Sequence, residues 1–162
     1  MMQGILRTDR LWLNPAETAD TARLIDINDP TMAERITQLV ESQLSWWQEY
    51  SYGLWLIVLP ATEKLAGWCG LRPGDRPTEP ELLFGLAASE RKQGIATEAV
   101  RAVLAYAFSL PTIRSVWAAT DGNNLKSAAV MQRAGMQFDA RRELGGVSSV
   151  LYRILAPSRN VE

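Results

Sequence analysis

The chain has 162 residues, 47% of them hydrophobic and 22% charged, with 17 basic and 18 acidic side chains, one Cys and no His. That length fits one domain over residues 1–162, which buries about two-thirds of the unfolded chain's surface without a disulfide or metal staple, and the net charge of −1 argues against wholesale nucleic-acid or membrane binding. The missing His excludes a Ser–His or Cys–His nucleophile, an imidazole acid or base and a His-based zinc site, and Cys69 alone builds neither an internal disulfide nor a metal cage, so no metal is expected and a reducing, cytoplasmic setting fits.

In chain order, Leu6–Leu13 alternates apolar and polar residues around Thr8-Asp9-Arg10 and predicts a strand ending at Pro15. Pro15–Ile27 predicts a helix, with Asn14 as its cap. A second helix is expected from Pro30, because Met32, Ile36, Leu39, Val40, Gln43, Leu44 and Trp47 fall at helical spacing. Gly53–Leu59 and Lys64–Leu71 read as strands around a short turn. The loop Arg72–Pro80 then leads to a further strand, Glu81–Ala88, interrupted by Gly85. Gly94–Leu110 carries the longest helical stripe and stops at Pro111. Ile113–Ala119 reads as a strand and Asn124–Ala134 as a helix with Gly135 at its end. The strands Met136–Leu144 and Val147–Leu155 form a hairpin through Gly145–Gly146. The expected fold class is α/β: a mixed sheet of about seven strands flanked by about four helices. The opening residues have no long apolar core, and the longest apolar run, Leu54–Leu59, is strand-sized, so no targeting or membrane segment is expected.

The chemically loaded stretch is Ala88–Ala99, which leaves a strand and opens the long helix. A helix N-terminus offers unpaired N–H groups and the positive end of the helix dipole, a natural seat for an anion. Gly94 and Ala96 leave room for a bulky phosphate, and Arg91 and Lys92 add positive charge. An ordinary strand-to-helix turn is the alternative reading. Neither a Walker loop nor a dinucleotide-binding glycine fingerprint is present. The charge distribution agrees with an anion here: residues 1–81 hold 7 Lys/Arg against 12 Asp/Glu, and residues 82–162 hold 10 against 6.

The run Arg91-x-x-Gly94-x-Ala96 resembles the [RQ]-x-x-G-x-[GA] pyrophosphate motif of the GNAT acyltransferase superfamily. Gly94-Ile95-Ala96-Thr97-Glu98-Ala99 is similar to the form typical of its ribosomal-protein N-terminal acetyltransferase, or Rim-type, branch. Leu6–Leu13 resembles that branch's opening strand. Asn124-Leu125-Lys126-Ser127 resembles its N-x-x-S turn, and Arg133–Met136 its K-L-G-F run. The matches follow the family's order over about residues 5–155. The resemblance implies a single GNAT domain whose central strands splay near Gly85–Ala88. Acetyl-CoA would pair with the backbone of Leu86, Ala87 and Ala88. Its pyrophosphate would sit on amides from Lys92 through Gln93, Gly94, Ile95 and Ala96 to Thr97, with Arg91 alongside, and Asn124 and Ser127 would lie along the pantetheine.

The implied reaction is direct acetyl transfer from the thioester to a primary amine, borne by a peptide or protein N-terminus or by a small molecule. A backbone N–H of Leu86 or Ala87 would polarise the carbonyl. The family's usual Tyr is replaced by Met131, and a carboxylate used in one ribosomal branch by Ala119. The remaining candidate base is Glu81, with Glu79 two residues before it on the same strand face, and Ser127 is a candidate donor to the leaving thiolate. The missing helpers leave a non-catalytic CoA-binding module as the competing class. Of the six Trp, Trp46 and Trp68 are the candidates to line an acceptor groove, with Asp26, Asp29 or Glu49 nearby. Cys69 reads as a buried small apolar residue. The partners implied are acetyl-CoA and the amine acceptor, with room for a homodimer.

Overall fold

The computed structural model describes residues 3–158, so Met1, Met2 and residues 159–162, which the sequence reading counts within the domain, lie outside the described residues. Eight strands form one sheet in the order β1-β2-β3-β4-β5-β6-β8-β7. The eighth strand arises because the stretch expected as one strand folds on itself. β1 (Leu6–Arg7) and β2 (Trp12–Pro15) pair antiparallel, with Leu6 opposite Leu13. The polar Thr8-Asp9-Arg10 turn between them is closed by the Thr8 amide donating to the Leu11 carbonyl at 3.0 Å.

The first helix also starts later than expected. Pro15 ends β2, and Asn14, the expected cap, accepts instead from Arg7 at 3.2 Å. A capping box between Glu17 and Asp20 opens a 3-10 turn that runs into α1 (Thr21–Asp26). A second 3-10 turn, Pro30–Met32, is capped by Asp29 and leads into α2 (Ala33–Tyr50), which ends at Ser51 in the left-handed conformation. β3 (Leu54–Leu59), β4 (Lys64–Arg72) and β5 (Glu81–Leu86) then form an antiparallel meander.

α3 (Ile95–Ser109) crosses to β6 (Ser115–Asp121), and α4 (Leu125–Arg133) to β7 (Gln137–Leu144) and β8 (Val147–Leu155). The two sheet faces bury separate cores. One gathers Trp55, Ile57, Ile95, Val100, Val103 and Met131 under α3 and α4. The other gathers Leu24, Ile36, Val40, Leu56, Trp68 and Leu83 under α1 and α2. Among the described residues no helix is long and apolar enough to cross a membrane.

Candidate active site

β5 and β6 are the one parallel pair in the sheet, and they stay in register only at Glu81 opposite Trp117. Beyond that point they part. Alternation fixes which β5 groups face the gap. Ala87 donates its amide to the Ala66 carbonyl at 2.8 Å, so Ala87, Gly85 and Leu83 present their backbone polar groups to β4. Phe84 and Leu86 turn theirs to the opposite edge, where β6 has diverged. The structure therefore engages the Ala87 amide elsewhere, and Ala88 is exposed at the start of a 3-10 turn, Ala88–Glu90. Of the three backbone positions expected from the sequence, Leu86 lines the gap, joined by Phe84 and Gly85.

The gap opens into a cleft of about 640 Å³. β5 forms one wall, the start of α4 with Asn124, Leu125, Lys126 and Ser127 forms another, and Arg91, Lys92, Gly94 and Thr97 close the end. Asn124 caps α4, its side chain accepting the Ser127 amide at 3.1 Å. This bond fixes the turn that brings both residues to the cleft.

At the other end Lys92 and Gly94 both take positive φ, 68° and 76°. That double reversal throws the chain from the 3-10 turn into α3. No side chain caps α3, and its first intrahelical bond is Glu98 N–H to the Gly94 carbonyl at 3.1 Å, so the amides of Ile95, Ala96 and Thr97 point out of the helix end. The Ile95 side chain is in the core, leaving its backbone to the site. Arg91 and Lys92 are exposed and pair with no carboxylate among the described residues. Gln93 offers its carbonyl away from this seat, to Arg10 at 2.8 Å. Four groups from separate elements thus converge: free β5 amides, the α3 N-terminus, two cations and the Asn124 turn.

The two base candidates, Glu81 and Glu79, stand apart from the cleft, whereas Ser127 lines it. Glu81 is buried and held by Arg72, whose Nε donates to it at 3.0 Å and whose Nη2 makes a second contact. Glu79 does not share its strand. It precedes β5, contacting Arg76 (3.3 Å), Ser115 (3.2 Å) and Arg153 (3.7 Å). The hydrogen bond from Arg76, together with those other partners, holds its carboxyl below the usual range against the cost of desolvation. Met131 is 2% exposed in the core. Trp68 and Trp46 both pack with the α1/α2 cluster, and neither lines the cleft. The Trp68 indole reaches Asn28 Oδ1 at 3.4 Å, beside Gly85, while Asp29 is occupied as a cap. Cys69 is fully buried and its thiol is pushed up by desolvation, which suits an inert core residue. Among the described residues no group of side chains is arranged to hold a metal.

A sheet that parts beside a helix end with unpaired amides offers a seat for an anion on the helix and a groove between the strands. Residues 10–137 match the family model described as "Acetyltransferase (GNAT) domain", and the chain belongs to that family. It is therefore an acetyltransferase. An uncharacterized protein of Bacillus subtilis (strain 168), YkkB, is 29% identical over 146 residues, 82% of this chain and 85% of its own. The crystal structure of an acetyltransferase from Agrobacterium tumefaciens str. C58 is 26% identical with a TM-score of 0.81, covering 95% of each chain. RimL, a ribosomal L7/L12 alpha-N-protein acetyltransferase in complex with coenzyme A, is 17% identical with a TM-score of 0.76, covering 93% of this chain and 97% of its own, a likeness of fold. Rim-type enzymes thus stand among other GNAT acetyltransferases, and that branch is not singled out.

Proposed function

We propose that the chain transfers the acetyl group of acetyl-CoA to a primary amine, with a peptide or protein N-terminus as first choice of acceptor and a small amine as second. The observation that carries the reading is the convergence of the Phe84 and Leu86 amides, the α3 N-terminus and the Asn124 turn on one cleft. Phosphates of CoA would meet the amides of residues 95–97 with Arg91 and Lys92 beside them, and the pantetheine arm would run between Leu86 and Asn124. An amide on β5 would polarise the thioester carbonyl. The amine nitrogen attacks that carbon, the C–S bond breaks, and CoA leaves as the thiol after taking up a proton.

Positioning carries this step. Bringing two reactants together supplies effective molarities of order 10⁵–10⁸ M, against about 10²–10⁴-fold from a general acid or base. Glu81 lies three residues from Phe84, roughly 10 Å along a strand, so it takes the amine's proton only through water. Ser127 would donate to the leaving thiolate. Its amide is fixed by Asn124, and its position on the cleft wall supports that role. A Rim-like acceptor is supported by the likeness to RimL and by the acidic balance of residues 1–81.

The test is thiol release from acetyl-CoA in the presence of N-terminal peptides and small amines. Turnover with peptides bearing a free α-amine, abolished by blocking it, supports the reading. CoA binding with no turnover across the panel would count against it. Glu81→Gln at full kcat with an unchanged pH–rate profile would remove Glu81 from the proton path.

A further inference from the structure

A densely bonded polar cluster lies outside the cleft, where the β1–β2 turn meets α3. Glu98 sits in the first turn of α3, one residue past Thr97. A carboxylate there suits the helix dipole but opposes a phosphate on the same helix end. The turn satisfies it completely: Thr8 Oγ1 donates to it at 2.5 Å, the Arg10 amide at 3.1 Å and Arg10 Nε at 2.8 Å. Arg10 does a second thing. Its Nη1 donates to the Gln93 carbonyl at 2.8 Å. One guanidinium therefore bridges the residue before Gly94 to the first helical turn after it. Gln93 lies between the two positive-φ residues, Lys92 and Gly94, a conformation that persists only where surrounding contacts over-determine it. The Arg10 side chain remains half exposed, on an open cleft of about 670 Å³ that shares Gly94, Thr97 and Arg133 with the donor cleft.

We propose that Arg10 is a positioning residue for the acyl donor: it holds the Lys92–Gly94 reversal in place and cancels the Glu98 charge, so that the amides of residues 95–97 receive a phosphate. It bonds to the donor's seat through Gln93 and Glu98, with its Nη2 beside Gly94. The inference rests on the donor site proposed above.

The experiment compares two donors on Arg10→Ala: acetyl-CoA, and S-acetylpantetheine, which has the same thioester and arm but no phosphate. Arg10→Ala is expected to raise KM for acetyl-CoA about tenfold or more with kcat held within about twofold, and to leave kcat/KM for S-acetylpantetheine within about twofold. Arg10→Lys keeps the charge but loses the planar fork, so it is expected to fall between the two. Where Arg10→Ala does not fold, Arg10→Lys carries the comparison, with a KM rise of severalfold on acetyl-CoA alone. An unchanged KM for acetyl-CoA in both variants overturns the role of Arg10 while leaving the donor site standing. So does an equal loss on both donors, the mark of a merely structural residue. A wild-type protein that neither binds CoA nor releases thiol overturns the donor site itself, and this role with it.

Discussion

Gly94→Ala tests the helix-end seat with two separable magnitudes. Gly94 has φ of 76°, where an L-residue's Cβ costs about 1–2 kcal/mol. Reduced freedom of the unfolded chain offsets roughly 0.4–1 kcal/mol of that. The added Cβ would lie 3.3 Å from Arg10 Nη2, the movable end of a half-exposed side chain, so contact adds little. The net loss of about 1 kcal/mol lowers Tm by about 2–4 °C for a domain of this size. The second effect is on binding, because the new methyl group would stand beside the amides proposed to receive a phosphate. CoA at about 100 times Kd stabilises the native state by about 2.7 kcal/mol, and a tenfold loss of affinity leaves about 1.4. The CoA-induced rise in Tm should therefore fall to about half in the variant at the same ligand concentration. Thermal unfolding followed by circular dichroism, with and without CoA, reads both numbers. A variant that keeps the full CoA-induced shift would refute the placing of phosphate against Gly94. An apo loss of several kcal/mol would refute the ledger for the backbone.

Asn124→Ala removes the α4 cap and should cost about 0.5–2 kcal/mol in urea unfolding while weakening CoA, whereas Asn124→Ser should restore most of the stability. Gly85→Ala would place a Cβ 2.7 Å from the Trp68 indole nitrogen, and overpacking of this kind costs about 1–3 kcal/mol, read as a fall in Tm together with a red shift of tryptophan fluorescence. Glu98 gives a pH signature. Partial burial works to raise its pKa, but the hydrogen bonds from Thr8 and Arg10 outweigh it and hold the carboxyl below its ordinary value. Its contribution is therefore present above the unfolded value of about 4.3 and is lost as pH falls through the lower folded value. The stability advantage of wild type over Glu98→Gln should shrink on going from pH 7 into that acid range. A constant gap would contradict the assignment.

Much of this was legible because it is periodic or local. The α3 stripe and the Gly145–Gly146 hairpin each follow from residues close in sequence, and the structure places them as expected. What escaped depends on pairing at a distance. Leu6–Leu13 reads as one strand around the polar Thr8-Asp9-Arg10, and the Thr8–Leu11 bond and the remote partner Glu98 show that it folds back there. Which β5 amides are free was equally hidden, since the Ala87–Ala66 bond sets the phase of the ladder. Period-two alternation from Leu86 would have flagged Phe84, had that phase been known. Trp68 is a groove candidate by resemblance to the family's acceptor region, and the packing that β4 gives it against the α1/α2 core, with Gly85 making room for its ring, could not be read from its neighbours in sequence. Glu79 looked coplanar with Glu81, but pairing in β5 begins only at Glu81 opposite Arg72, and Glu79 is drawn toward Ser115 and Arg153.

A crystal structure with bound acetyl-CoA tests the central claim most directly. Phosphate oxygens are expected within hydrogen-bond distance of the amides of residues 95–97, the pantetheine between Leu86 and Asn124, and the thioester carbonyl facing the Phe84 or Leu86 amide. Acetyl-CoA seated elsewhere, with those amides facing water, would contradict it.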